Sequence, residues 1–339
     1  MRQLATALLM VCGAALPRAA GAAPNPAVSA VDSVVIPVSD MSRAIAFYTH
    51  VLEFQVVGDH EVTGSDYEHF LGVFGTRAKV VRLKLGSEEL ELLEFLAPRG
   101  RPLPADLRSN DRAFQHVAII VSDMARAYAR LRQNHVEYAS TEPQVLPDWN
   151  VNAGGISAFY FHDSEGNILE ILHFPPGKGA VRWQAHDALF LGVDHTAIVV
   201  SDTETSLHYY RDLLGLTVAG ESDNYGTEQE HLNNVFGAHL RITALRASSG
   251  PGVELLEYLA PRTGRPIPVD SQANDRWYWQ INFSSARPET VLEGVRAAHV
   301  PLVSAEVVNL ETPAFGLARG FVARDPDGHA AAIAVIPSQ

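Results

Sequence analysis

VDHTAIVVSD, residues 193–202, sets one histidine, His195, near the start of an apolar run that ends in Ser-Asp. Two other stretches are written almost the same way, VDSVVIPVSD at 31–40 and FQHVAIIVSD at 114–123. The first of them carries Ser33 at the matching position, the second His116. Short apolar runs rich in β-branched residues predict strands. Ser-Asp predicts the cap of a following helix, because a short side-chain oxygen accepts from a free N–H of the first turn. A histidine that only packs is replaced without consequence. One that binds something marks, by its presence and absence, which copy of a site works.

The repetition extends outward from these strands. ELLEFLAPRGRPLPADLRSNDR (91–112) returns as ELLEYLAPRTGRPIPVDSQANDR (254–276), and EHFLGVFG (68–75) returns as EHLNNVFG (230–237). The chain therefore reads as a tandem duplication, with halves at about 28–176 and 190–337 and a linker over 177–192. Each half divides again. MSRAIAFYTHVLEF places Ile45, Tyr48 and Leu52 on one helical stripe, and TETSLHYYRDLLGL places Leu207, Tyr210 and Leu214 likewise. MARAYARLRQNHV and RPETVLEGVRAAHV hold the same place in the second and fourth units. DSEGN and DPDGH mark hairpin turns between the last strands of those units. The plan is α+β: four β-α-β-β-β modules, at 31–97, 114–174, 193–260 and 278–336.

A formal charge of −13 over 339 residues argues against nucleic acid or an anionic membrane surface as a partner, since both reward a basic face. A small-molecule substrate is expected instead. Residues 1–23 read as a secretory signal peptide, with Arg2 ahead of the apolar run Leu4–Leu16 and small residues at 20–23. The mature chain is then expected to be periplasmic or secreted, free of the membrane, and without the single cysteine, Cys12. Thiolate nucleophiles and thiolate ligands are excluded for such a chain. Four modules in one chain can satisfy their pairing internally, so a monomer is expected.

The four opening strands, the FYTHVLEF and YYRDLLGL helix ends and the DPDG and EGNILEIL hairpins resemble the vicinal oxygen chelate superfamily. That superfamily includes glyoxalase I, extradiol ring-cleaving dioxygenases and bleomycin-resistance proteins. The resemblance spans nearly all of the chain after the leader. It implies modules paired into two curved half-barrel sheets, each able to hold one divalent metal: zinc, nickel, cobalt, manganese or ferrous iron. Ligands of this family come from the first and last strands of paired modules. The template positions here are Ser33 and Glu91, His116 and Glu170, His195 and Glu254, and Gln280 and Ala332. Imidazole and carboxylate suit these metals. Glu170 and Glu254 sit in apolar strand text, where an unpaired carboxylate is costly. Glu94 and Glu257, with His173 at the same place in the second module, fall on the opposite strand face.

Two pairings are open. Modules paired 1+2 and 3+4 would give two incomplete sites, Glu91–His116–Glu170 and His195–Glu254–Gln280. Modules paired 2+3 and 1+4 would give one complete site, His116, Glu170, His195 and Glu254, and one nearly empty, with Glu91 and Gln280 as remnants. The second is favoured because it leaves one intact and one decayed site. The resemblance then implies a glyoxalase-like lyase or isomerase that passes through a metal-stabilised enediolate, with Glu170 or Glu254 as the base. An Fe(II) extradiol dioxygenase is an alternative, for which Tyr225 and His231 are candidate substrate-lining groups. A non-catalytic ligand-binding or resistance protein is another, with Trp149, Trp183, Trp277 and Trp279 as candidate groove residues.

Overall fold

A computed structural model describes residues 27–337; the leader expected at 1–23 lies outside the described residues. The first module runs β1 (Ala30–Pro37), α1 (Met41–His50), β2 (Gln55–Thr63), α2 (Ser65–Leu71), β3 (Arg77–Leu85) and β4 (Glu88–Ala97). The second has β5 (Gln115–Val121), α3 (Met124–Gln133), β6 (Gln144–Val145), β7 (Ser157–His162) and β8 (Ile168–His173). The third has β9 (Phe190–Val200), α4 (Thr203–Leu207, continued by a π-helical turn), β10 (Thr217–Tyr225), α5 (Thr227–Asn233), β11 (His239–Arg246) and β12 (Gly252–Ala260). The fourth has β13 (Gln280–Ser284), α6 (Pro288–Ala297), β14 (Val308–Asn309), β15 (Arg319–Arg324) and β16 (Ala330–Val335). Asp40, Asp123 and Asp202 cap α1, α3 and α4 by accepting from the backbone N–H three residues on, as the Ser-Asp pairs predict. No helix among the described residues is long and apolar enough to cross a membrane.

The strands form two eight-stranded sheets, ordered β14-β15-β16-β13-β1-β4-β3-β2 and β10-β11-β12-β9-β5-β8-β7-β6. The opening strands meet antiparallel at the centre of each sheet, β1 with β13 and β5 with β9. Modules thus pair first with fourth and second with third. The architecture is α+β, as expected, with α1, α3, α4 and α6 against the outer faces of the sheets and the short α2 and α5 against the inner ones. Strand alternation divides the core accordingly. Val34 and Ile36 of β1 join Val117 and Ile119 of β5 in a core shared by the helix faces of both sheets. Val35 instead faces the inside of the first sheet, and Ala197 and Val199 face the inside of the second.

The repeat's longest shared text turns out to be the connection between modules. Arg101 grips Asp275 at 2.6 and 3.0 Å and reaches Asp270 at 3.0 Å. Arg265 makes the mirror set with Asp111 at 2.6 Å and Asp106 at 2.9 Å. The two linkers therefore clasp each other reciprocally across the duplication. Asp111 and Asp275 are buried, and these bidentate arginine contacts hold both below the usual carboxylate range against the cost of burial.

Candidate metal centre

Four adjacent strands at the middle of the second sheet supply the site. His116 lies on β5 opposite Ala197 of β9, and His195 lies on β9 opposite Ala118 of β5. Glu170 on β8 is beside Ala118, and Glu254 on β12 is beside Ala197. The pattern is a chequerboard in which two alanines keep open the space that two imidazoles and two carboxylates surround. His116, Glu170 and His195 each offer a ligand atom within 4.8 Å of the others. Nε2 of His116 is 3.2 Å from Oε2 of Glu170. Nε2 of His195 is 3.6 Å from Oε2 of Glu170 and 3.4 Å from Oε2 of Glu254. Ligands about 2.1 Å from a tetrahedral ion stand roughly 3.4 Å apart, so these separations suit a shared cation.

Two further observations test that fit. His116 is buried, yet neither of its ring nitrogens has a hydrogen-bond partner. Buried polar atoms are normally paired, and a ligand nitrogen is one that a metal pairs. His195 is fixed from behind. Its Nδ1 contacts Oδ2 of Asp194 at 3.0 Å, and Asp194 in turn accepts from Arg246 Nη2 at 2.8 Å and Trp183 Nε1 at 2.9 Å. A carboxylate on the far nitrogen turns the other nitrogen toward a metal and raises its basicity. Burial opposes ionisation of Asp194, but His195, Arg246 and the indole hold it well below the usual carboxylate range. Burial likewise opposes a charge on His195, yet Glu254, Asp194 and Glu170 together push its pKa up to about 9. Without a metal, a proton on His195 neutralises part of the charge that a dication would otherwise neutralise.

The two carboxylates are not equivalent. The Glu170 side chain is 5% exposed and touches both histidines; that of Glu254 is 22% exposed and touches His195 alone. Both border a half-open cavity of about 110 Å³. Tyr160 also lines it, with its ring 4.8 Å from that of His116, and burial beside Glu170 keeps its phenol protonated.

The other expected residues separate. Glu91 and Gln280 lie in the first sheet, remote from this cluster in sheet order, where β1 stands beside β4 and β13. Glu94 and Glu257 face the helices, as the strand alternation implies, and accept from the N-termini of α1 (Met41 N–H, 3.2 Å) and α4 (Thr203 N–H, 3.1 Å). Tyr225 and His231 do not line the cavity. Tyr225 projects from the last residue of β10 and stacks on Trp149 with ring centroids 4.3 Å apart, half-exposed. His231 is an exposed residue of α5. Their neighbours Asn224 and Gln229 point inward instead. Period-two alternation on β10, with Ser222 and Asn224 on one face and Tyr225 on the other, is the signal that would have found Asn224. Of the four tryptophans, Trp183 supports Asp194, and Trp277 and Trp279 are buried outside this cavity.

Fold and site together define a protein with paired β-α-β-β-β modules and a histidine–carboxylate cradle suited to a metal in one of two sheets. The chain belongs to the Glyoxalase/Bleomycin resistance protein/Dioxygenase superfamily, whose family model matches residues 30–171 and again 192–333. A 2-epi-5-epi-valiolone epimerase from an Actinomyces species is 31% identical over 157 residues, which are 45% of this chain and 83% of that protein. Glyoxalase I from Zea mays shares the fold at a TM-score of 0.57 with 14% identity, over 91% of this chain and 92% of that one. A putative dioxygenase from Bacillus subtilis does so at 0.57 with 13% identity, over 93% and 87%.

Proposed function

We propose that the chain is a metal-dependent isomerase-type enzyme that moves a proton on a small substrate with neighbouring oxygens. The observation that carries this reading is the unequal pair of carboxylates around one cluster of ligands. Glu170 contacts both imidazoles from a nearly sealed position and is suited to holding the ion. Glu254 reaches only His195, is the more exposed of the two and borders the cavity, so it is the carboxylate free to take a proton from substrate carbon and return it. His116 and His195 would complete the ligand set, with Asp194 orienting His195. A bound divalent ion would supply Lewis-acid polarisation of the substrate oxygens. The epimerase likeness supports proton transfer at carbon as the reaction type. Two histidines and one carboxylate form the tightest group, and this favours a second reading, an Fe(II) dioxygenase.

The test is deuterium exchange. The full chain, loaded in turn with zinc, cobalt, nickel, manganese and ferrous iron, is incubated with small hydroxyketones in D2O and followed by NMR. Exchange at the carbon beside the carbonyl, abolished in Glu254→Gln while metal is retained, is expected. Exchange that survives Glu254→Gln would overturn the role given to that residue. Oxygen consumption with a catechol, confined to the iron form, would favour the second reading.

A further inference from the structure

Among the mostly apolar residues that line the cavity beside the ligands are two neutral amides, Asn224 and Gln229, and their arrangement is peculiar to this half of the molecule. Asn150 Nδ2 donates to Oδ1 of Asn224 at 2.8 Å, Asn224 Nδ2 donates to Oε1 of Gln229 at 3.0 Å, and Gln229 Nε2 donates to Oδ1 of Asn233. Asn224, Gln229 and Asn233 are all buried. The chain of donors runs one way, so the two middle amides, Asn224 and Gln229, each spend one N–H and one oxygen lone pair on their neighbours. A primary amide has two N–H groups and two lone pairs. Asn224 and Gln229, which border the cavity together with Ser222, therefore keep one of each unspent.

The first sheet shows what the fold does at the same places without the ligand cluster. Val62, Tyr67 and Leu71 stand at the places of Asn224, Gln229 and Asn233, and all three pack in the apolar interior of that sheet. The fold therefore does not need amides there. Burying them is costly unless something uses their hydrogen-bonding capacity. Charge narrows what that something is. Glu170, Glu254 and Asp194 border the cavity, while no lysine or arginine is among its described lining residues. Arg246, which reaches Asp194 behind His195, is spent on that residue. An anionic tail would meet carboxylates and no cation other than the metal. Size narrows it further, since a half-open cavity of about 110 Å³ seats one end of a small molecule, with the rest of a single ring reaching toward its mouth.

We propose that Asn224 and Gln229 form a recognition wall for the remote hydroxyls of a small, uncharged polyhydroxylated ketone, up to the size of one six-membered ring, whose neighbouring oxygens face the histidine–carboxylate cluster. This rests on the proposed function for the orientation of the substrate. The wall itself is testable without turnover.

Isothermal titration of the full chain compares a pentahydroxycyclohexanone with 2-hydroxycyclohexanone, which keeps the neighbouring oxygens and lacks the remote hydroxyls. Asn224→Val and Gln229→Leu are tested beside the parent. The melting temperature of each variant guards against a folding defect, and bound cobalt reports an intact metal cluster. The expected result is tighter binding of the polyhydroxylated ketone by the parent. Each variant should lose about tenfold of that affinity, the scale of one hydrogen bond, with 2-hydroxycyclohexanone unaffected. Equal affinity of the parent for both ketones, or equal loss of both in the variants, would overturn the wall. If no divalent ion binds, the proposed function fails on that result alone. The same comparison run without metal still supports or overturns the wall.

Discussion

The two sheets are built from the same four-strand centre and fill it differently. In the second sheet Ala118 and Ala197 separate the ligands, and Ala244 of β11 stands opposite Glu254. In the first sheet those three places hold Asn282, Val35 and Arg82. Asn282 donates to Ser33 Oγ at 3.0 Å and to Glu91 Oε2 at 3.3 Å, and Ser33 Oγ donates to Glu91 Oε1 at 3.0 Å. Gln280 is drawn into the same network through Asn282, at 2.7 Å. Arg82 brings a guanidinium to Asp32, Glu89 and Glu91 at 3.5, 2.6 and 3.5 Å. It fits because residue 316 is glycine; a Cβ there would lie 1.9 Å from Arg82 Nη1. Phe315 then fills the interior where the second sheet has Ala153. A residual carboxylate, left without imidazoles, has been satisfied by a built-in cation and an amide. One fold thus solves the problem of a buried carboxylate in two ways, with a site for an external cation and with an internal one.

The largest effect that should separate the halves is on turnover. Glu254→Gln is expected to lower the exchange rate by about 10²–10⁴-fold, the span of general acid–base catalysis, with metal retained. Glu91→Gln, its counterpart, should leave the rate unchanged in the same assay.

Next is metal affinity. Asp194→Asn should weaken binding by about 10–100-fold, because His195 loses its orienting carboxylate. Competition with a chromophoric chelator measures this. Affinity in the parent should also rise with pH up to about 9, since metal displaces the proton that Glu254 and Asp194 hold on His195. A pH-independent affinity across 6–9 would show that His195 is not a ligand.

Stability comes third. Arg82→Ala removes the cation from Glu91 and should cost up to about 3 kcal/mol in denaturant unfolding. Burial pushes the Glu91 pKa well up, against the opposing pull of Arg82. In that pH range the native state binds more protons than the unfolded state, so stability falls as pH rises. The cost of Arg82→Ala is therefore expected to be greater at pH 8 than at pH 5.

The smallest effect concerns the hairpin turns that close each half. Asp163 accepts from Tyr48 at 3.1 Å and Asn167 at 3.0 Å; Asp325 accepts from Tyr210 at 3.0 Å and contacts His329 at 2.9 Å. Burial raises the pKa of Asp163, where its partners are neutral, while His329 holds that of Asp325 down. Burial opposes a charge on His329, but Asp325 raises its pKa above the usual imidazole value. The stability this pair contributes is complete below the unfolded histidine pKa and is lost as pH rises through the folded one. His329→Asn should cost about 1 kcal/mol at pH 6 and less at pH 9.

Much of this contrast was legible in the sequence, for a physical reason. The ligand strands are apolar, so His116, Glu170, His195 and Glu254 stand out as polar residues in buried text, and each repeat gives the register of the next. The pairing of modules was open because linkers of similar length permit either arrangement; the reciprocal Arg101 and Arg265 clasps accompany the one observed. Arg82 was not legible. In RAKVVRLKL it reads as one of several alternating cations on a solvated face. Its role emerges only where the register sets it opposite Glu91. Tyr225 and His231 stood out for their chemistry, whereas orientation on β10 and α5 selects Asn224 and Gln229.

The most direct measurement is metal stoichiometry by elemental analysis of the full chain and two variants, after loading and removal of excess ion. One sheet with the ligand cluster and one without it require one equivalent per chain in the parent, one in Glu91→Gln, and almost none in His116→Ala. Two equivalents in the parent, or an equivalent retained by His116→Ala, would contradict a single centre shared by the second and third modules.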